Sequence, residues 1–381
     1  MIQPAVNDPQ GSAKTSVTDA DTEDVRTTLA SRALLLPWRR RLGEVVAQAT
    51  ALGALVVIGI VLTILSPHFL TYVNLSEVAV DAAVTAIVAV GQTLVIITAG
   101  IDLSVGAVAA LAGVVGAQLM VNQNLPWLIA TVGGVLVGAL AGLVNGGLVS
   151  WIKLPPFIAT LGMMGVARGV TFLTTGAVAV YGVPTGFTAL GLGYAGPIPV
   201  PAICLVVVIV IFGAIFTWTK LGRYARAIGS NQEASRLTGV PVGSYLVLVY
   251  VLSGVLAGFA GMIAASRVES GQPNFGIGLE LDAIAAAVIG GASLFGGQGT
   301  VAGAIIGAFL IEEIRNGSIL LNINTYAQDV IIGVVVWVAV AWDYWRRRHI
   351  TDRARAPATA EIPRTSSAVT PPFPRGLRPR S

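Results

Sequence analysis

Apolar residues fill the middle of the chain in blocks of about twenty, separated by short polar or glycine-rich interruptions. A helix needs about 20 apolar residues to cross the hydrocarbon core of a bilayer. On that window, spans are predicted at 45–66, 76–99, 104–121, 126–151, 156–176, 198–219, 243–266, 281–296, 300–317 and 326–345. The stretches 104–121 and 281–296 are short and glycine-broken, so eight or nine spans are the alternatives to ten. The expected fold is an all-α, polytopic helical membrane bundle.

Arginine and lysine orient such a bundle, because they concentrate on the cytoplasmic side. Arg39, Arg40 and Arg41 precede the first span, and Arg346, Arg347 and Arg348 follow the last. Both termini are therefore expected in the cytoplasm, which requires an even number of spans. The same orientation puts Lys153 and the basic segment with Lys220, Arg223, Arg226 and Arg236 inside. It leaves the expected outer loops 67–75, 122–125 and 177–197 nearly free of Lys and Arg.

Glycine marks the close approaches. Gly134, Gly138, Gly142 and Gly146 recur every fourth residue, which lines them up on one helical stripe where a second backbone can come near. Gly254/Gly258 and Gly303/Gly307 repeat the device. Packing within one subunit is preferred here over dimerisation. An internal echo also runs through the chain, from "DAAVTAIVAVGQTLVIITAGIDLSVGAVAALAG" at Asp81 to "DAIAAAVIGGASLFGGQGTVAGAIIGAFL" at Asp282. Corresponding glycine-interrupted segments in two halves are a feature of repeat-built transporters.

The first echo holds the chemistry that stands out. "GQTLVIITAGIDLSVG" places Asp102 between Gly100 and Gly106, inside an apolar run. An ionisable residue in a span costs on the order of 2.5–3.5 kcal/mol on insertion scales and is a functional candidate by default. Gly100 is expected to end one helix, and Asp102 or Ser104 to cap the next by accepting from its free N–H groups. An anion there is also favoured by the helix dipole. A break at membrane depth survives only where it is buried in protein or lines a watery cavity. A structural cap and a lining role are therefore compatible. Gln92, Thr93 and Thr98 precede the break, Asn145 lies in the fourth span, and Arg168 in the fifth. Arg168 can pair with Asp102 or face water near a helix end. Gln92, Thr98, Gly100, Asp102, Ser104, Asn145 and Arg168 are the candidate substrate-pathway residues, and their few charges suit a neutral polyol better than an ion.

Composition narrows the class. Hydrophobic residues make up 55% of the 381 positions and charged residues 11%, against about 25% charged in soluble domains. Residues 45–345 hold 8 Lys/Arg and 11 Asp/Glu, while the tails hold 15 and 8, so the basic pI of 9.4 belongs to the tails. The basic residues sit beside hydrophobic spans rather than on an amphipathic soluble face, which argues against nucleic acid as a partner. Cys204 reads as a small apolar core residue, and His68 and His349 lie at opposite ends, so neither a metal cluster nor a Ser-His-Asp set is expected. Residues 1–44 begin with a polar stretch that has no basic start, unlike a secretory signal, and 346–381 is rich in Pro, Arg and Ser. Both are expected to be disordered cytoplasmic tails.

The segment 220–242 predicts a short amphipathic helix, a turn at Gly229-Ser-Asn, and a second short helix closing at Gly239. Such a surface helix can lie on lipid headgroups or dock a cytosolic partner. The three lysines, Lys14, Lys153 and Lys220, fit no phosphate-loop pattern. If ATP powers transport, another chain must hydrolyse it.

"GQTLVIITAGIDLSVGAVAAL", "NGGLVSWIKLPPFIATLGMMGVARGVTFLTTG", "GRYARAIGSNQEASRLTGVPV" and "LDAIAAAVIGGASLFGGQGTVAGAIIGAFLI" occur in that order across 45–345. Together they resemble the ribose/xylose-type membrane permeases of ABC importers. The resemblance implies two permease subunits, here a homodimer, with a cytosolic ATPase that uses ATP and Mg, and an extracytoplasmic binding protein that delivers a monosaccharide. It implies no cofactor in this chain, no enzymatic activity, and a place in the bacterial cytoplasmic (inner) membrane. The segment 222–240, with Arg223, Arg226, Gly229, Glu233, Ala234 and Gly239, is similar to the loop that couples such permeases to their ATPase. The breaks at 98–106 and 290–299 would border the path. The rival is an ion-coupled secondary transporter with Asp102 as its coupling site, against which stands an expected near absence of other buried carboxylates. A membrane scaffold without transport would not need glycine-broken segments in both halves.

Overall fold

The computed structural model describes residues 45–355. The expected tail 1–44 and the segment 356–381 lie outside the described residues. Thirteen helices follow one another among those described: α1 (Val45–Leu65), α2 (Tyr72–Ile97), α3 (Val105–Val121), α4 (Trp127–Ser150), α5 (Pro156–Thr175), α6 (Thr185–Leu192), α7 (Val200–Trp218), α8 (Lys220–Ser230), α9 (Gln232–Leu237), α10 (Val242–Arg267), α11 (Leu279–Ile289), α12 (Val301–Leu320) and α13 (Thr325–Arg355). Six of them, α1, α2, α4, α5, α7 and α10, are long and apolar enough to cross a membrane. The molecule is a polytopic helical membrane protein.

The 26-residue α2 and α10 are the most buried of the six long helices. Each is about 39 Å long at 1.5 Å per residue, more than the hydrocarbon thickness. Both are apolar nearly all round, as a helix enclosed by other helices must be. α10 packs on α4, α3 and α2, while α2 also takes α11, α12 and α7 against its sides. By contrast, α1 keeps most of its Val, Leu and Ile side chains exposed, as a lipid-facing helix does.

The glycine stripe of α4 works inside the subunit. A Cβ at Gly138 would run into the Gly254 carbonyl, one at Gly142 into the Tyr250 carbonyl, and one at Gly146 would lie 2.7 Å from Val247 Cα. Gly303 and Gly307 do the same for α12 against Gly290 and Ala286 of α11. The preferred reading of these stripes therefore matches the packing.

Two expected elements are corrected. The span 281–296 is helical only to Ile289. Beyond it Gly291, Gly296, Gly297 and Gly299 all have positive φ, a conformation no continuous helix can contain. At the other end α13 runs to Arg355, ten residues past the expected limit of the bundle.

The extracytoplasmic loop expected at 177–197 is partly ordered. It carries α6 and β2 (Tyr194–Ala195), which pairs antiparallel with β3 (Ile198–Pro199) just beyond it. Its strand β1 (Val180–Tyr181) pairs with β4 (Ser270–Gly271) beyond α10.

Candidate functional site

The break between α2 and α3 is built from α2 outward. Ile97 is the last residue of α2, and Ala99, not Gly100, takes the left-handed conformation, with φ +63°. Its N–H donates to the Ile96 carbonyl, and that of Gly100 to the Val95 carbonyl. Gly100 is needed for space instead: a Cβ there would sit 2.7 Å from the Tyr250 hydroxyl oxygen.

Asp102 is 1% exposed and holds the restart of the chain. Its Oδ1 accepts from the Ser104 N–H at 2.9 Å and from the Ser104 hydroxyl at 2.6 Å. This differs from the expected cap. Neither Asp102 nor Ser104 reaches a free N–H inside α3, because the carboxylate closes a two-residue turn onto the N-cap residue itself. Asn145 Nδ2 of α4 donates to Ser104 Oγ at 2.9 Å, and Thr160 of α5 donates to the Ile101 carbonyl at 3.1 Å. Ser253 of α10 lies at 3.5 Å from Asp102 Oδ2. With its nitrogen facing the Asp102 carbonyl, the Gln92 amide donates to that oxygen at 3.1 Å and accepts from the Asp102 N–H at 3.2 Å. The opposite orientation would set acceptor against acceptor. Five helices thus converge on one buried turn, in which Asn145 Oδ1 and the Tyr250 hydroxyl have no partner among the described residues.

Of the candidate pathway residues, Gln92, Gly100, Asp102, Ser104 and Asn145 come together. Thr98 bonds back to Val95 within its own helix end. Arg168 goes elsewhere: its Nη1 donates to the carbonyls of Pro273 (3.1 Å) and Phe275 (2.8 Å), in the loop after β4. No Arg168–Asp102 ion pair occurs among the described residues. Ser253, Tyr250 and Thr160 were not singled out in the sequence, since single hydroxyls on apolar helices carry no spacing signal.

The second break meets the first. The Gly297 N–H donates to the Ile97 carbonyl at 2.8 Å. A Cβ on Gly296 would lie 2.8 Å from Ala99 Cβ, and one on Gly229, near the end of α8, would collide with the Ile97 carbonyl and approach Gly297 N to 2.7 Å. The two breaks and the basic segment therefore share one contact point. α8 and α9 form the predicted pair of short helices, but the turn between them is Asn231 alone, since Gly229 and Ser230 stay in α8; Thr219 caps α8 through the Leu221 N–H and Asn231 caps α9 through the Ala234 N–H. Glu233 and Arg236 form an exposed pair on α9 at 2.9 Å.

A cluster of buried charge overturns the expected near absence of further buried carboxylates. Glu312 and Glu313 of α12 are each 7% exposed. Thr85 donates to Glu312 Oε1 at 2.6 Å, and Arg315 donates to Asp282 at 2.7 Å while lying 3.9 Å from Glu312. Glu313 Oε2 has no partner among the described residues, and Gly59 of α1 leaves room for the carboxylate, since a Cβ there would be 2.8 Å from Oε1. Asp81, the counterpart of Asp282 in the internal echo, bonds Arg267, which also reaches Glu77 at 2.5 Å. Hydropathy averages over a window, so the adjacent Glu312 and Glu313 with Arg315 on α12, and Asp81 on α2, do not interrupt their apolar runs. No group of three or more His, Cys, Asp or Glu suited to a metal occurs among the described residues.

Fold and site together define a polytopic helical membrane protein in which two helix breaks are joined by a hydrogen bond. The chain belongs to the family described as "Branched-chain amino acid transport system / permease component", whose model matches residues 74–340. It is 41% identical over 303 residues to the ribose import permease protein RbsC of Escherichia coli K12, covering 78% of this chain and 93% of that protein. The D-allose transport system permease protein AlsC of the same organism is 40% identical over 295 residues (76% and 90%). The L-arabinose ABC transporter permease protein AraH of Azospirillum brasilense is 34% identical over 324 residues (84% and 95%). No solved structure matches the chain.

Proposed function

We propose that this chain is the membrane subunit of an ATP-driven importer for a monosaccharide, a pentose, a hexose or a related polyol. In this reading two copies form the path in the bacterial cytoplasmic membrane, an extracytoplasmic binding protein delivers the sugar, and a cytosolic ATPase docks on 220–242. Arg223, Arg226, Gly229, Glu233, Ala234 and Gly239 belong to that docking segment. Gln92, Thr98, Gly100, Asp102, Ser104, Asn145 and Arg168 belong to the path or to its support. The polar tails remain on the cytoplasmic side with Lys153 and Arg236.

One observation carries the mechanism. Gly229 of the docking segment abuts both the Ile97 carbonyl and the Gly297 amide, so a shift of α8 is felt at both helix breaks at once. A bistable element that a partner can bias is the physical requirement for coupling. Asp102 then acts as the pin that keeps the first break folded, since it holds the Ser104 N–H and hydroxyl where α3 restarts.

The family title names branched-chain amino acids, whereas the relatives above are named for sugars. The uncharged hydroxyls and amides around the break (Ser104, Asn145, Thr160, Ser253) support the sugar. An amino acid brings two charges, which favour basic and acidic partners in a low-dielectric site. The ion-coupled alternative draws on Asp102 and Glu313, buried carboxylates with no ion pair among the described residues.

Reconstitution separates these readings. Proteoliposomes holding the permease, its ATPase and its binding protein are expected to take up a labelled pentose or hexose only with ATP inside. Uptake driven by a sodium or proton gradient without ATP would support the ion-coupled reading, and uptake of leucine in place of sugar would overturn the substrate class. Loss of ATPase co-purification on changing Glu233 and Gly239 is the matching test of the docking segment.

A further inference from the structure

A groove of about 500 Å³ opens where α1, α7, α8 and α12 meet. Its walls divide by chemistry. Ile209 and Gly213 of α7 and Ile305 of α12 supply apolar lining, while Gln48, Arg226 and Thr300 supply polar groups. Gln48 Nε2 donates to Thr300 Oγ1 at 2.5 Å, which ties α1 to the start of α12. Arg226 rests over the Phe216 ring, 5.8 Å from its centroid, and gives one N–H to the Phe216 carbonyl at 3.2 Å.

The arginine is the informative residue. A guanidinium has five N–H donors and no acceptor. No acidic partner within salt-bridge distance of Arg226 occurs among the described residues, whereas Arg236, Arg267 and Arg315 all have one. A cation half-withdrawn from water beside an apolar wall favours an anion, and the wall favours a chain. Arg223, on the neighbouring turn of α8, is exposed and points to the Trp218 carbonyl instead.

We propose that this groove binds an anionic phospholipid. The phosphate lies on Arg226 near Thr300, and an acyl chain follows Ile209, Gly213 and Ile305 toward the bilayer interior. The amino end of α12 adds a favourable field for the same charge. Free phosphate would leave the apolar wall unused, and an uncharged lipid would leave Arg226 unpaired. The groove lies beside the docking segment, so a bound lipid would brace α8 against α12.

The test is native mass spectrometry of the full-length protein in detergent, titrated with phosphatidylglycerol or with phosphatidylcholine of the same acyl chains. The wild type is expected to retain phosphatidylglycerol in preference. Arg226→Gln should cut that preference about fivefold, the worth of one basic residue near an anionic surface. Gly213→Phe should weaken both lipids, and it is expected to fold because nothing lies within 4 Å of a Cβ there. Arg223→Gln should bind both as the wild type does. An undiminished preference in Arg226→Gln, or wild-type binding of both lipids by Gly213→Phe, overturns the proposal. So does inorganic phosphate binding that depends on Arg226 and ignores Gly213→Phe, which would make this a free-anion site. Stronger lipid binding when Asp19, Asp21, Glu23 and Asp24 are all neutralised would assign the groove to that acidic segment of the chain, and would equally overturn it.

Discussion

The Gly297 amide donates to the Ile97 carbonyl over 2.8 Å, joining residues two hundred positions apart at the ends of two different helix breaks. Gly229 fits against the same pair of atoms. A helix end normally leaves its last carbonyls without intrahelical partners. Here one of them is answered by the other break, and the basic segment closes over the bond.

Gly229 is therefore expected to tolerate no side chain. Gly229→Ala should lower stability by about 1–3 kcal/mol, as overpacking against backbone does, and reduce uptake by the reconstituted importer. Arg236→Ala, which removes only an exposed ion pair, should stay within about 0.5 kcal/mol. Thermal unfolding of the two purified variants makes the comparison. Equal melting temperatures would show that the contact at Gly229 is slack.

Asp102 separates charge from hydrogen bonding. Asp102→Asn keeps an oxygen for the Ser104 N–H and is expected to express and fold, with impaired uptake. Asp102→Ala leaves that N–H and the Ser104 hydroxyl without their acceptor, at a cost of about 1–3 kcal/mol. Yield of monodisperse protein should rank wild type and Asn above Ala. Normal uptake by Asp102→Asn at every pH would remove the residue from the transport cycle.

The α4–α10 crossing is set by glycine against glycine. Gly138→Val should destabilise the subunit by about 1–3 kcal/mol or more, because the Gly254 carbonyl occupies the space. Gly162→Ala on α5, with nothing within 4 Å, should be neutral. Crosslinking adds a second measurement: a dimer lost without any loss of subunit stability in Gly138→Val would place the stripe between subunits after all.

In the charge cluster, removing one partner differs from removing an unbalanced charge. Arg315→Met leaves Asp282 and Glu312 uncompensated and should cost about 3–5 kcal/mol. Glu313→Gln removes a carboxylate that no cation balances, and is expected to be neutral or stabilising within about 0.5 kcal/mol. A larger loss in Glu313→Gln than in Arg315→Met would reverse this account of the cluster.

Much of this was legible along the chain, and the residues that were not share a reason. Apolar run length located the helices because the bilayer imposes a minimum length on any span. The four-residue glycine spacing predicted close backbone approach, since positions four apart share a helix face. The pair of short helices at 220–239 followed from its polar and apolar periodicity. For span 281–296 only the end was set too late: "AAAVIGGASLF" is as apolar as a helix, whereas the glycines of the 290–299 break adopt φ values that hydropathy does not register.

The sequence by itself determined a membrane bundle, the places where its helices break, and a basic pair of short helices between α7 and α10. These are local properties, set by runs, spacings and backbone freedom within about twenty residues. Only the tertiary structure decided who meets whom. It sent Arg168 to the Pro273 and Phe275 carbonyls instead of Asp102, gathered Asn145, Thr160 and Ser253 around one buried turn, and balanced Asp282 and Glu312 with Arg315. A polar group in a low-dielectric interior takes whatever partner the packed helices bring within hydrogen-bond reach, and that depends on crossing angles and register summed over the whole bundle.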